Sequence, residues 1–228
     1  MSATKKCIYC ISSEASTRDH VPPATLWGGK KDKDMITVPC CEKCRQSQQG
    51  DDEYLRTLFS LSIGSDRLES GKRALGKTIR EFQYRKNRGK ISRSYFKPTL
   101  KPYHSMSGEY KGVFPQAEID AERINRIAWR IHRGLIYHHY QQILSDSDVD
   151  FEIQIIGGKT ILDKGLEEAQ KDLAITNFPG NLTNQIGDGS VVQYQVNRAE
   201  DNILGTLSRI LFYESVAITC ITIPINTK

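Results

Sequence analysis

Two cysteine pairs, Cys7-x-x-Cys10 and Cys41-x-x-Cys44, flank the run Arg18-Asp19-His20-Val21-Pro22-Pro23. Four thiolates delivered by two short turns are the donor set of a closed tetrahedral zinc site, because each C-x-x-C wraps its two sulfurs around one metal. Between the pairs, Asp19 offers an oxygen donor beside His20, whose imidazole titrates close to neutral pH and suits a general base. Cys40 competes with Cys41 for the zinc, but a C-x-x-x-C spacing closes the metal turn less well, so Cys41 is the expected ligand. Cys220 lies in the apolar run 216–224, where a free cysteine behaves as a small buried hydrophobe.

The formal charge of +5 over 228 residues is unevenly spread. Residues 1–66 balance their basic and acidic side chains, and residues 102–228 carry more acid than base. The stretch 67–101 holds Arg67, Lys72, Arg73, Lys77, Arg80, Arg85, Lys86, Arg88, Lys90, Arg93, Lys97 and Lys101 against Glu69 and Glu81 alone. A field of that sign beside a hydrolytic centre is what a phosphate backbone seeks, whereas the bland alternative is a solvated connection. Lys72, Arg73, Lys77 and Arg80, with Arg18 and Arg45 next to the cysteine frame, are the candidate nucleic-acid contacts.

These side chains need a scaffold. The pattern predicts a short strand at 17–21 ended by Pro22-Pro23, a charged loop, a β-branched strand at 35–38 closed by Pro39, and a helix from 42 to about 62. Leu75, Ile79 and Phe82 predict a cationic helix over 71–90, followed by an irregular connection marked by Pro98, Pro102 and Gly108. Residues 118–144 form the clearest helix, apolar along one side, with Arg123, Arg126, Arg130 and Arg133 at spacings of three and four on the other. That stripe either meets DNA or pairs with the acidic residues 146–150. Its neighbours His132, His138 and His139 point in different directions and make a poor metal site. Further on, strands are expected at 151–156, 191–196 and 215–225 and a helix at 162–173, while 204–212 fits helix or strand.

Strand, loop, strand and a helix opening at the second C-x-x-C, with Asp-His at the end of the first strand, resembles the HNH branch of the His-Me finger nucleases. Cys7, Cys10, Asp19, His20, Pro22, Cys41 and Cys44 carry the resemblance, which spans roughly a quarter of the chain. It implies a metal-dependent endonuclease that hydrolyses DNA phosphodiesters, with structural Zn²⁺ on the four cysteines. His20 would activate water, and Asp19 would help hold a catalytic Mg²⁺ or Mn²⁺ through hard oxygen ligands. The sequence departs from the family where His or Asn should follow the second C-x-x-C, since Arg45 and Gln46 stand there and no asparagine precedes Asn87. Either another oxygen donor completes the site, with Gln46, Gln48, Gln49 or Asp52 in reach, or the metal site has decayed, and Arg45 would then repel Mg²⁺ but could grip phosphate directly.

The expected fold class is α+β. A zinc-bound ββα-metal module occupies 1–62, a basic helical connection 63–112, and an α+β domain 113–228 that could serve a homodimer or a partner protein. No stretch approaches the roughly 20 apolar residues of a membrane span, and cysteine usage fits a reducing compartment, so a cytoplasmic protein is expected. Two other classes stay open: a catalytically silent zinc-ribbon DNA-binding protein, and a protein-interaction adaptor.

Overall fold

The computed structural model describes residues 5–12, 14–30, 32–62, 64–84, 98–104, 107–117, 119–157 and 182–225. Among these, the chain is α+β with antiparallel sheets throughout. Strand β1 (Thr17–Val21) pairs with β2 (Ile36–Cys40), and helix α1 (Glu42–Ser60) follows directly. Pro39 does not end β2 as its sequence suggested. It pairs with Arg18 inside the ladder, which a two-stranded hairpin tolerates because each strand keeps an open edge.

Helix α2 (Glu69–Tyr84) packs on α1 and buries Ser70, Gly71, Ala74 and Thr78, while Leu75 is only partly buried. Ser70, Ala74 and Thr78 follow one another at four-residue spacing on its buried side, and Ile79 is left 42% exposed. Ser60 and Thr78 share a 2.9 Å hydrogen bond in this contact, and Arg56 bonds Glu81 from a fully buried position. The expected irregular connection is instead a hairpin of β3 (Pro98–His104) and β4 (Tyr110–Ala117). Residues 85–97, which hold half of the basic stretch, and the expected helix at 162–173 lie outside the described residues.

The long helix α3 (Ala121–Tyr140) starts at Asp120, whose carboxylate accepts the Arg123 backbone N–H at 2.9 Å, and ends where Gln141 turns left-handed at φ 52°. One side of α3 faces the hairpin and α1. Its other side lies on a five-stranded sheet ordered β5 (Val149–Ile156), β9 (Val216–Pro224), β8 (Thr206–Phe212), β7 (Val192–Arg198), β6 (Asn184–Ile186). Being covered on both sides, the helix buries every residue from Arg123 to Ile136 except Asn125 and Arg126. Of the ambiguous segment 204–212, residues 206–212 form a strand, β8, which pairs on both edges.

The apolar interior runs through all of these elements. One cluster joins Ile8, Val21 and Trp27 of the N-terminal part to Ile127 and Leu135 of α3 and to Val192, Phe212 and Ile218 of the sheet. Residues 1–62 therefore do not bury a core apart from the rest. Among the described residues, no helix is long and apolar enough to cross a membrane.

Candidate metal centre and the Asp19–His20 hairpin

The turn holding Cys7 and Cys10 closes with Ile11 N–H donating to Cys7 O at 3.0 Å, and it hangs on β2 through Ile8 N–H to Pro39 O at 3.1 Å. Cys41 stands at the entry of α1 in extended backbone, and Cys44 lies in the helix's first turn. The four Sγ atoms fall within 4.8 Å of one another, with Cys10 and Cys41 Sγ 3.8 Å apart. A tetrahedron of zinc–sulfur bonds of about 2.3 Å has edges of about 3.8 Å, so this donor set fits zinc in both chemistry and size. Bound there, zinc would cross-link the N-terminal turn to the start of α1. Cys40 stays outside the set: it is buried and its Sγ points to Cys41 O at 3.3 Å. Cys220 is buried as well, as expected.

The β1–β2 register is regular, pairing Asp19 with Val38 and His20 with Thr37. Side chains alternate along a regular strand, so Asp19 and Val21 turn inward while Arg18 and His20 face away from them. The local backbone turn that would bring Asp19 and His20 to one cation is not made.

Inside, Asp19 is 8% exposed and its Oδ2 accepts the Tyr9 hydroxyl at 2.8 Å. Burial and then the Asp19 charge push the Tyr9 hydroxyl well above its ordinary pKa, which keeps it a donor. Asp52 is bonded to Arg130 of α3, a side chain only 7% exposed. Burial, with help from the Asp19 and Asp51 charges, raises the Asp52 carboxyl to about 6 against the pull of Arg130. Next to it, Asp51 accepts Arg123 Nε at 2.7 Å and Arg126 Nε at 3.0 Å. Arg133 completes the row by donating to Ile8 O at 2.6 Å and Tyr9 O at 2.9 Å, carbonyls of the cysteine turn.

The arginine stripe of α3 is therefore spent on α1 and the cysteine turn. Of its expected partners at 146–150, Asp146 lies 3.7 Å from Arg133. Sequence reasoning missed Tyr9 and the Asp51-Asp52 pair as the receiving surface, although four arginines at one helix face and two adjacent acids were both in view.

Asp19 and Asp52, the expected divalent-cation ligands, thus already have protein partners, and a Mg²⁺ or Mn²⁺ ion does not fit beside the Arg130 guanidinium. Among the described residues, the four cysteines are the group of three or more His, Cys, Asp or Glu side chains gathered closely enough to hold a metal. The other proposed donors divide. Gln46 Nε2 donates to Glu42 Oε1 at 2.9 Å, and Gln49 is exposed. Gln48 Oε1 is buried without a hydrogen-bond partner. Arg45, in the position of the missing ligand, makes a two-nitrogen contact with Glu42 at 3.0 and 2.8 Å.

On the outer face, Arg18 Nε donates to Thr37 Oγ1 at 2.7 Å and its Nη2 to Thr37 O at 2.9 Å, which fixes the guanidinium beside His20. Arg18 and Thr37 also line an open cleft of about 440 Å³ with Lys33, Asp34, His138 and Tyr194. On α2, Lys72 and Arg80 are exposed, Arg73 and Lys77 partly so, and Lys72 sits 3.7 Å from Glu69. His132 is fully buried between Ser208 Oγ at 2.7 Å and Thr206 Oγ1 at 2.8 Å, and His139 meets the Tyr194 hydroxyl at 3.1 Å. His138 and His139 meet edge-on with ring centroids 5.0 Å apart, while His132 keeps its own polar contacts against the sheet. Comparison of the chain with protein-family models, curated proteins and solved structures found no match in any of the three.

Proposed function

We propose that this protein binds nucleic-acid phosphates through a zinc-stabilised, HNH-like ββα module that does not cut by means of a divalent cation. The observation that carries this proposal is the occupation of Asp19 by Tyr9 and of Asp52 by Arg130, which takes away the oxygen ligands that metal-dependent cleavage needs. Binding is supported by cations that remain at the surface. Lys72, Lys77 and Arg80 lie on α2, and Arg18 is fixed on the outer face of the hairpin. Contacts of this kind are sequence-tolerant and salt-sensitive, because each phosphate neutralised releases a condensed counterion. Bound to the four cysteines, zinc would have a structural part, and Arg133 holds the cysteine turn to α3 through the Ile8 and Tyr9 carbonyls.

A second reading, a metal-dependent endonuclease in which His20 activates water, has one specific observation in its favour. The β1–β2–α1 order around Asp19-His20 and the four-cysteine cluster is compatible with the arrangement that the resemblance implies. The two are separated by gel shift and plasmid nicking on the same zinc-loaded preparation. Salt-sensitive DNA binding is expected, weakened about tenfold or more by Lys77→Glu with Arg80→Glu, with no nicking in Mg²⁺ or Mn²⁺. Nicking that disappears in His20→Ala would overturn silence and establish the endonuclease. Neither binding nor nicking would overturn both and leave the protein-interaction adaptor.

A further inference from the structure

The outer face of the hairpin opens on the cleft that Arg18 and Thr37 line, and the rest of its wall comes from distant parts of the chain. Lys33 and Asp34 enter from the turn before β2, His138 from the last turn of α3, and Tyr194 from β7. Its volume of about 440 Å³ lies within the range of about 300–1,000 Å³ in which small-ligand clefts fall, so it has room for one nucleotide.

Two kinds of surface meet there. The first is cationic. Arg18 spends Nε and Nη2 on Thr37, at 2.7 and 2.9 Å, while Nη1 takes no part in these two bonds. A guanidinium held in place before a ligand arrives loses little freedom when it meets a phosphate oxygen. Lys33, which is exposed, adds a second cation, and Asp34 returns one negative charge. The second surface is aromatic. The His138 ring meets His139 at 86° and 5.0 Å, and His139 meets the Tyr194 ring at 5.7 Å and its hydroxyl at 3.1 Å. These contacts tie the exposed His138 ring to a buried tyrosine of the sheet. Partial burial lowers the His138 pKa from 6.5, so at neutral pH the ring is uncharged and serves as a stacking surface.

Fixed cations beside an uncharged ring suit a nucleotide. Arg18 and Lys33 against Asp34 leave one positive charge in the cleft. That matches the single negative charge of a phosphodiester better than the charge of about −1.5 to −2 on a phosphate monoester. A base must leave its stack to reach the ring, which a single strand permits and a duplex resists. The Asp34 carboxylate, an acceptor only, suits the amino group of a base. We infer that this cleft takes one unpaired nucleotide of a single strand, its phosphate at Arg18 and Lys33 and its base against His138. The inference rests on the phosphate-binding proposal above and adds a preference for unpaired strands.

The experiment compares, by fluorescence anisotropy, binding of the full-length, zinc-loaded protein to a labelled single-stranded oligonucleotide, to the same strand with abasic residues, and to the duplex. The abasic strand keeps every phosphate, so the ratio between the two strands isolates the base. The intact strand is expected to bind about fivefold or more tightly than either of the others. His138→Ala should bring the intact-to-abasic ratio close to one, and His138→Phe should keep it. Arg18→Gln should weaken binding of the intact strand, and Lys77→Glu with Arg80→Glu should weaken both strands alike. Arg18 and His138 are exposed, and zinc content with circular dichroism establishes that each variant is folded. A wild-type ratio of one, or a duplex bound as tightly as the strand, would overturn this inference and leave phosphate binding standing. Failure of every nucleic acid to bind would overturn both. An unchanged ratio in His138→Ala, a ratio lost equally in His138→Phe, or unchanged affinity in Arg18→Gln would overturn the placement in this cleft. A nucleoside monophosphate that competes with the strand's own affinity would overturn the strand as the ligand.

Discussion

Cys40 and Cys41 are adjacent, yet their sulfurs have opposite fates. The last residue of β2 turns its thiol into the interior, and the residue that opens α1 presents its thiol to the metal cluster. Serine at 7, 10, 41 or 44 is therefore expected to abolish stoichiometric zinc, whereas Cys40→Ser and Cys220→Ser keep one zinc per chain, as read by metal analysis after gel filtration. Loss of zinc in Cys40→Ser with retention in Cys41→Ser would reverse the ligand assignment. The ligand spacing made this site legible from sequence, since C-x-x-C constrains geometry locally. The Asp19 environment was not legible in the same way, because Tyr9, Asp52 and Arg130 meet there from three separate segments and no spacing rule links them.

At the scale of elements, the hairpin and α1 were readable from β-branched runs, prolines and the second cysteine pair. The β3–β4 hairpin was not, since Pro98, Pro102 and Gly108 read as breakers although a two-stranded ladder accepts proline along an open edge. The docking of α3 on β1 turns on one glycine. A Cβ on Gly134 would lie 2.5 Å from Val21 Cγ2 and 3.1 Å from Val21 Cβ, and a valine has no long arm with which to yield. In an exposed helix, Gly→Ala stabilises by about 1 kcal/mol. Overpacking a core costs about 1–3 kcal/mol, so the steric clash outweighs the gain in helix propensity. Gly134→Ala is expected to destabilise the protein by about 1–2 kcal/mol, seen as a lower urea midpoint with an unchanged slope. A midpoint that rises would mean the helix does not approach the strand this closely.

Across the whole molecule, α3 is the layer that both halves share, with arginines toward α1 and His132 toward the sheet. The N-terminal part and the sheet should therefore unfold together, and a proton taken up in one place should be felt in a single transition. Burial lowers the His132 pKa from its usual 6.5 to about 3, so the imidazole is neutral in the folded protein while it protonates normally in the unfolded chain. The unfolded state then binds more protons between about pH 6.5 and pH 3, and folding weakens as pH falls through that window, by about 1.4 kcal/mol per pH unit at the limiting slope. Asp52 acts in the opposite sense. Its carboxyl, raised to about 6, takes up a proton in the folded state first and adds stability as pH falls from about 6 toward 4. The diagnostic quantity is consequently a difference between proteins. From about pH 7 to about pH 5, stability should fall less steeply in His132→Gln than in the wild type, with tryptophan fluorescence and far-ultraviolet dichroism giving coincident transitions at each pH. Trp27 lies in the N-terminal part and Trp129 in α3, so fluorescence reports on both sides of the layer. Equal pH slopes in the two proteins would show that His132 is not held neutral by burial, and separated transitions would show that the shared core does not couple the halves.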